Sequence, residues 1–190
     1  MKKSISNIIV LFHALDTVSA NQNLDGYDLG AIEKHLDISD NVAQVKTKGK
    51  SNIMSQEIIN KLYNAADLFV LPTMGEGFGL GYQEAMACKV PCISTNYSAT
   101  SEVLADDRGY LVNPAAYIYN GRETRHAVLN SGDLADAIYK VWENPVLQKK
   151  LATNGYKWVK NYTPDKVTKR LIEVFEKVII EDKKPIILNQ

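Results

Sequence analysis

Short, wholly apolar runs alternate along this chain with segments whose apolar residues recur at helical spacing. ISNIIVLFHA (5–14), DLFVLP (67–72) and VPCIST (90–95) are typical of buried strands, because strands covered on both faces of a parallel sheet are apolar throughout. NVAQVKT (41–47) and GYLV (109–112) are shorter strand candidates. The alternation predicts an α/β fold, a Rossmann-like sheet of about five parallel strands with helices on both faces.

The helical segments carry start signals, and one stretch breaks the rhythm. Ser55 is an N-cap candidate for QEIINKLYNAA, whose apolar residues share one face. Pro145 and Pro164 stand near the starts of two carboxyl-terminal helices. Residues 113–131, NPAAYIYNGRETRHAVLNS, predict a long tyrosine-bearing loop, and loops of this length are usually functional or mobile.

Length and charge exclude several classes of protein. The 190 residues suit one compact domain or a large half of a two-domain protein. Lysine plus arginine equals aspartate plus glutamate at 22 each, so no net field favours nucleic acid, and we expect no nucleic-acid partner. The apolar run at 8–12 is too short for a secretory signal or a membrane span. We therefore predict a cytoplasmic protein, and peripheral attachment to a membrane through parts outside this chain stays open.

The run GEGFGLGYQEAMACKVPCIS (75–94) places Glu76 and Glu84 around a glycine-rich turn. The strand DLFVLP ends at Pro72, so the turn lies at the carboxyl edge of the predicted sheet, where open parallel sheets bind ligands. Its glycines permit positive φ and a close approach of the backbone to a ligand. The amides at the start of the following helix suit a phosphate.

The two acids fit a nucleotide-sugar site around that phosphate. Glu84 falls about one turn into the helix, where its carboxylate can accept hydrogen bonds from a ribose diol. Glu76 precedes the turn and can reach a group on the far side of the phosphates. Spacing alone leaves an alternative open, in which Glu76 caps the helix dipole and Glu84 is a solvated surface acid.

The run LYNAADLFVLPTMGEGFGLGYQEAMACKVPCISTNYSATSEVL resembles the donor-binding domain of retaining glycosyltransferases of the GT-B fold. The likeness continues through RGYLVNP and DLADAI to NGYKWVKNYTPDKV. The family signature is a pair of glutamates separated by seven residues, which Glu76 and Glu84 match. The resemblance implies that Glu76 is the catalytic acid beside the donor sugar and that Glu84 binds the ribose. The turn whose amides face the sugar and the diphosphate is then formed by Gly77, Phe78, Gly79 and Leu80.

The resemblance also implies an activity and its partners. The reaction would transfer a sugar from a nucleotide-sugar donor to an acceptor hydroxyl with retention of configuration, and it would use no cofactor and no metal. The acceptor, whether glycan, lipid or protein, is not indicated. An amino-terminal acceptor domain would come from a longer chain or a separate subunit. Two alternatives stay open. The first is a non-catalytic nucleotide- or sugar-binding module or a truncated remnant of such an enzyme, and the second, with less support, is a nucleotide-sugar epimerase of the same overall fold.

The chain departs from the family pattern at its front and within the motif. No Arg/Lys pair that could neutralise a diphosphate precedes Ile8. We therefore interpret residues 1–190 as a donor domain that lacks its first strand–helix unit. Gly81 replaces the usual proline after the turn, and Lys89 replaces the usual glycine at the helix end. A positive φ at Lys89 would cost on the order of 1 kcal/mol.

Several other side chains are expected to have structural rather than ligand-binding roles. We expect Phe78 to wedge the turn onto the core rather than to stack on a ligand. His13 is interpreted as a satisfied strand-end histidine, with a contact to a base or phosphate as the alternative. A basic cluster in the 113–131 segment is taken as a solvated loop, although it could close over an anionic donor; it consists of Arg122, Arg125 and His126.

The two cysteines lie close together in sequence. Cys88 and Cys92 are set in an apolar stretch. Because free cysteine is readily buried, we expect two buried thiols rather than a disulfide or a metal-binding pair.

Overall fold

The computed structural model describes residues 8–12, 29–44, 54–121 and 123–182. The strands expected at 5–14 and 41–47 are therefore described only in part. Predictions that fall outside these ranges concern His13 and Arg122.

The chain divides into two units, Met1–Ile59 and Asn60–Gln190. Helix α2 (Gln56–Ala65) begins in the first unit and ends in the second. Its start confirms the prediction from sequence, because the Ser55 hydroxyl accepts a long hydrogen bond of 3.4 Å from the Ile58 N–H.

The first unit contains a small parallel sheet. Strand β1 (Val10–Phe12) pairs in parallel with β2 (Val42–Gln44), and Val10 lies opposite Val42. Helix α1 (Leu29–His35) and a single 3-10 turn lie between the two strands along the chain. The predicted order of strand, helix and strand is thus confirmed for the described part of this unit.

The second unit contains a three-stranded parallel sheet. Its strands are β3 (Phe69–Leu71), β4 (Cys92–Thr95) and β5 (Tyr110–Val112), hydrogen bonded in that order. Helix α3 (Leu80–Ala87) connects β3 to β4, and α4 (Ala99–Val103) connects β4 to β5. The central strand β4 pairs in parallel with both neighbours, and Ile93 lies opposite Val70 of β3 and Tyr110 of β5.

Three further helices form the carboxyl-terminal part, namely α5 (Ser131–Trp142), α6 (Pro145–Val159) and α7 (Pro164–Asp182). Asparagine side chains cap two of them. Asn130 Oδ1 accepts a hydrogen bond from the Gly132 N–H at 2.8 Å, and Asn144 Oδ1 accepts one from the Leu147 N–H at 2.9 Å. The prolines predicted near helix starts are the first residues of α6 and α7.

Helices cover both faces of the three-stranded sheet. Successive side chains of a strand point to opposite faces, so neighbouring residues of β4 pack against different helices. On one face, Cys92 packs in a core with Tyr82 and Met86 of α3. On the other, Ile93 packs with Val141 of α5 and Leu151 of α6. The predicted layering of helix, sheet and helix is confirmed in this unit.

The described residues contain the five parallel strands expected from the sequence, with β1 and β2 paired in the first unit and β3 to β5 paired in the second. Apolar runs show where strands occur, but they do not say which strands share hydrogen bonds. The pairing depends on contacts between distant parts of the chain.

The segment 113–131 is not the long loop predicted from sequence. It contains an antiparallel hairpin of β6 (Ala116–Tyr119) and β7 (Arg125–Val128). Asn120 organises the turn, since its backbone N–H donates to the Thr124 carbonyl and its Oδ1 accepts from the Thr124 N–H, both at 3.1 Å. The aromatic and β-branched residues on either side of this turn favour strands, which is why a hairpin forms here in place of a loop.

Helix α7 exposes a broad apolar stripe. Seven of its apolar side chains are between 45% and 57% exposed, namely Val167, Leu171, Ile172, Val174, Phe175, Val178 and Ile179. Among the described residues, no helix is both long enough and apolar enough to cross a membrane.

Candidate functional site

The glycine-rich loop between β3 and α3 is built around Gly79. This residue directly precedes α3 and has a φ of 80°, in the left-handed region. A Cβ atom here would lie 2.5 Å from Cδ2 of the Tyr82 ring. Conformation and space therefore both require glycine. The first amides of α3 open from this turn, and helix-start amides have no acceptor within their own helix.

A buried polar network supports the loop from below. The Tyr82 hydroxyl lies 2.6 Å from Ser94 Oγ and donates to the Leu71 carbonyl at 2.9 Å. The Thr95 hydroxyl donates to the Thr73 carbonyl at 2.7 Å. These bonds tie the end of β3 and the start of the loop to β4. Burial raises the pKa of Tyr82 to about 12, although the hydrogen bond with Ser94 opposes the shift.

This shift predicts a loss of stability in alkali. The pKa of Tyr82 in the folded protein lies above the ~10 of an unfolded tyrosine. The stability that protonated Tyr82 contributes is therefore fully present below pH ~10 and is lost as pH rises towards about 12. The parent should lose about 2 kcal/mol more unfolding free energy than Tyr82→Phe between about pH 9 and pH 11.5. Denaturant unfolding at a series of pH values measures the difference. Equal pH slopes in the two proteins would contradict it.

Glu76 lies in the wall of an open cleft of about 520 Å³. Its backbone N–H donates to Ser98 Oγ at 2.9 Å, which ties the loop to the residue preceding α4. Ser98 itself has a φ of 54°, a conformation that costs energy for a side-chain-bearing residue. The cleft combines carboxylates with aromatic rings; its lining includes Glu76, Phe78, Glu102, Arg108, Trp158 and Tyr162.

The cation in this lining is already engaged. Arg108 donates from Nε to the Val103 carbonyl at 2.9 Å and from a terminal nitrogen to the Glu102 carbonyl. Its other terminal nitrogen pairs with Asp106 at 2.9 Å. The guanidinium also lies 5.0 Å from the Trp158 ring centroid. Arg108 thus caps the carboxyl end of α4, and the cleft presents mainly carboxylate and aromatic groups to a ligand.

Phe78 does not wedge the turn onto the core, and that expectation is wrong. Its side chain is 44% exposed, and its ring centroid lies 6.5 Å from that of Tyr162 across the cleft. The space beneath the loop is filled by Tyr82, which is fully buried. Phe78 is therefore left at the rim of the cleft.

Glu84 occupies a different environment from Glu76. It lies on α3, is partly buried, and its Oε2 accepts a hydrogen bond of 3.1 Å from the Tyr63 hydroxyl. Burial raises the pKa of Tyr63 above its ordinary value, and the charge of Glu84 raises it further. The phenol therefore stays protonated and remains a donor to Glu84 at neutral pH.

The structure brings only some of the predicted site residues together. Glu76, Gly77 and Phe78 line the cleft. Gly79 is buried within the turn, and Leu80 at the start of α3 is 67% exposed. Glu84 contacts Tyr63 and is not part of the cleft lining.

The structure shows the backbone conformation of Lys89 and the burial of the two cysteines. Lys89 has a φ of 60°, as expected for a position where the family pattern has glycine. Cys88 and Cys92 are both free thiols. Cys92 is buried, and burial raises its pKa. Cys88 is only partly buried, because it follows the end of α3 at the edge of the packed core and lies 3.5 Å from Asn64 Nδ2.

The described basic residues of the hairpin already have partners, one of them Tyr97 outside the hairpin. Arg125 stacks on Tyr97 and Tyr117, with its guanidinium carbon 5.5 Å and 4.6 Å from their ring centroids. His126 Nε2 lies 2.9 Å from Asn120 Nδ2. Among the described side chains, no three His, Cys, Asp or Glu residues are placed to hold a metal ion.

Several residues that shape the site carry no mark in the sequence. Ser98 and Tyr63 contact the two glutamates from 22 and 21 residues away. Trp158 and Tyr162 reach the cleft from the carboxyl-terminal part of the chain. No periodicity links such distant positions, so reading the motif alone could not find them.

A sequence model described as glycosyl transferases group 1 matches residues 3–144, well over half of the chain. The chain belongs to this family. A probable sucrose-phosphate synthase from Thermosipho melanesiensis is 32% identical over 158 residues, which cover 80% of this chain and 31% of the relative.

Solved structures agree with the family assignment. The carboxyl-terminal domain of a glycosyl transferase group 1 family protein, LpcC, from Francisella tularensis shares 29% identity. The match has a TM-score of 0.53 and covers 70% of this chain and 60% of that one. Alr3699/HepE from Anabaena, solved in complex with UDP-glucose, shares the fold at 20% identity and a TM-score of 0.59, over 79% of this chain and 36% of that one. The fold is the mixed α/β architecture of GT-B glycosyltransferases.

The chain spans less than half of the curated relatives it matches. It covers 31% of the Thermosipho protein, and 17% and 44% of two others, a rice sucrose synthase and an uncharacterised Methanocaldococcus jannaschii glycosyltransferase.

Proposed function

We propose that this chain supplies the donor site of a glycosyltransferase that moves a sugar from a nucleotide-sugar to an acceptor hydroxyl with retention of configuration. One observation carries the proposal. Gly79, in the left-handed conformation, forms the turn at the start of α3 between the two glutamates. Glu76 lines a cleft beside this turn. A UDP-glucose complex of a protein with the same fold supports a nucleotide-sugar as the ligand.

Each part of the donor has a suitable chemical environment. The amides of the turn from Gly77 to Leu80 can bind the diphosphate, since they combine unpaired donors with the positive end of the helix dipole. Glu84 is assigned to the ribose. The sugar is assigned to the cleft, where Glu76 can accept hydrogen bonds from its hydroxyls and aromatic rings can pack on its apolar face.

The proposed reaction is a front-side displacement at the anomeric carbon. The bond from that carbon to the diphosphate oxygen breaks, the acceptor oxygen bonds to the same face, and the leaving diphosphate takes the acceptor proton. The amides of the turn stabilise the negative charge that develops on the diphosphate. The carboxylate of Glu76 stabilises the positive charge that develops on the sugar. This assignment uses no metal and no cofactor.

The proposal requires an acceptor domain from a longer chain or a separate subunit. Residues 1–190 then belong to the donor domain. The relatives are two to six times longer than this match, which supports a further domain. The exposed apolar stripe of α7 also supports a protein partner, since its polar face carries charges of both signs rather than the basic surface that favours membranes. We also propose a cytoplasmic location for this chain.

Replacing Glu84 with alanine should weaken nucleoside-diphosphate binding by roughly 1–3 kcal/mol, the scale of a lost charged hydrogen bond. Calorimetry with UDP, GDP and ADP measures the change. Glu173→Ala, which removes an exposed acid from α7, is the matched control and should bind like the parent. Unchanged affinity in Glu84→Ala for a nucleotide that the parent binds would remove the ribose assignment.

Donor hydrolysis and donor binding, measured separately, test the function itself. Slow hydrolysis of UDP-glucose or another nucleotide-sugar, together with binding, supports a transferase half. Binding without any hydrolysis, even after an acceptor domain is added, would favour the non-catalytic module instead.

A further inference from the structure

Tyr63 holds Glu84 from the end of the neighbouring helix. Its hydroxyl donates to Glu84 Oε2 at 3.1 Å, and its ring is fixed edge-on against Phe69 with centroids 5.5 Å apart. Phe69 packs in the same manner on Tyr82 at 5.5 Å. This row of rings ends on the buried residue that supports the glycine loop, so the position of the Tyr63 hydroxyl is set by the core.

Gly81 leaves the space that this hydroxyl needs. A Cβ atom at position 81 would lie 3.2 Å from Phe69 Cζ and 3.4 Å from the Tyr63 hydroxyl oxygen. The first distance is tighter than most real Cβ contacts and the second is at the short edge of ordinary contact, so a side chain at this position would press on the Phe69 ring and lie directly against the Tyr63 hydroxyl. The glycine that departs from the family pattern is thus coupled to the pairing of Tyr63 with Glu84.

The pairing changes what Glu84 can do for a ligand. A carboxylate has two oxygens with about four acceptor sites, and its terminal torsion is otherwise broad. Tyr63 occupies one site on Oε2 and restrains that torsion, which leaves Oε1 to accept from a ligand in one orientation. A restrained acceptor loses less entropy when it binds, and it discriminates against ligands that lack the matching hydroxyl.

We infer that Tyr63 is a positioning residue that orients Glu84 and thereby gives the nucleotide site its preference for ribose over 2′-deoxyribose. The inference rests on the proposed function, in which Glu84 binds the ribose. It adds a residue outside the motif and a selectivity that the motif alone does not imply.

The test compares UDP, GDP and ADP with their 2′-deoxy counterparts by calorimetry on the parent and on Tyr63→Phe. We expect the parent to bind its best ribonucleotide more tightly than the 2′-deoxy counterpart of that nucleotide. Tyr63→Phe should lower that affinity about 3- to 10-fold, the effect of one hydrogen bond, and should change the 2′-deoxy affinity by less than about twofold. A merely structural role would lower both affinities together, and that result would overturn the inference.

A matched control removes an equivalent bond elsewhere. The Tyr139 hydroxyl on α5 donates to Glu143, directly after that helix, so Tyr139→Phe deletes a phenol–carboxylate bond outside the proposed site and should leave both affinities unchanged. Gly81→Ala is a second variant, which crowds Tyr63 without removing its hydroxyl. It should reproduce the loss of ribose preference in an otherwise parental protein and should have no further effect in Tyr63→Phe.

Glu84→Ala separates failure of the inference from failure of the proposed function. If Glu84→Ala abolishes the ribose preference and Tyr63→Phe retains it, only the inference on Tyr63 is overturned. If Glu84→Ala retains the preference, or if the parent binds none of the nucleotides, the ribose assignment is wrong and the inference fails with it. In the Glu84→Ala background, Tyr63→Phe should have no effect on either affinity.

Discussion

Glu76→Gln is expected to lower turnover by roughly ten- to a thousandfold while it leaves nucleoside-diphosphate affinity nearly unchanged. Glutamine keeps the shape and the hydrogen-bonding reach of the side chain but removes the charge that would stabilise the developing positive charge at the anomeric carbon. The loss corresponds to a barrier increase of about 1.4–4 kcal/mol. Product formation is measured in an enzyme that joins this chain to an acceptor domain, and nucleotide binding is measured on the same proteins.

The two measurements distinguish catalysis from structure. The main chain of Glu76 is held by Ser98, at 2.9 Å, and glutamine leaves that bond intact, so the loop should keep its position. A parallel fall in turnover and nucleotide affinity would identify Glu76 as a structural acid. If neither quantity changes, the glycine loop is not the active site.

Gly79→Ala is expected to lower the unfolding free energy by about 2–5 kcal/mol. An alanine held at φ of 80° costs roughly 1–2 kcal/mol. Its Cβ would also lie 2.5 Å and 2.8 Å from two carbons of the buried Tyr82 ring, and overpacking of this kind costs a further ~1–3 kcal/mol. Denaturant unfolding monitored by circular dichroism measures the loss.

Gly77 provides the matched control in the same loop. A Cβ atom at Gly77 would meet no heavy atom within 4 Å, so Gly77→Ala should change stability by less than about 0.5 kcal/mol. Similar losses in Gly77→Ala and Gly79→Ala would mean that the loop tolerates neither substitution for some other reason, and the conformational explanation would be wrong.

The strands and helices around the motif could be predicted because their signals are local. The run at 68–71 is wholly apolar since β3 is covered on both sides, and Ser55 precedes a helix because its hydroxyl accepts from an amide of that helix's first turn. The hairpin at Ala116–Tyr119 and Arg125–Val128 was missed, because the segment was judged by its length and polarity rather than by the strand-forming residues beside its turn.

Side-chain environments could not be predicted in the same way. Phe78 was expected in the core because it is aromatic and lies in a turn, but the buried position belongs to Tyr82, four residues later. Only the left-handed Gly79 and the packing of α3 on the sheet decide which of the two rings is covered. A buried site accommodates one ring, and its occupant depends on backbone direction rather than on residue type.

The sequence by itself determined the order of strands and helices around the motif, the place of the glycine turn and the identity of its two glutamates, since these follow from neighbouring residues and from the family motif. Tertiary structure decided what each glutamate contacts. Ser98 meets Glu76 and Tyr63 meets Glu84 across more than twenty residues, because parallel strands joined by helices bring segments that are distant in sequence next to one another. Such contacts depend on the folded path of the chain, which no local pattern specifies.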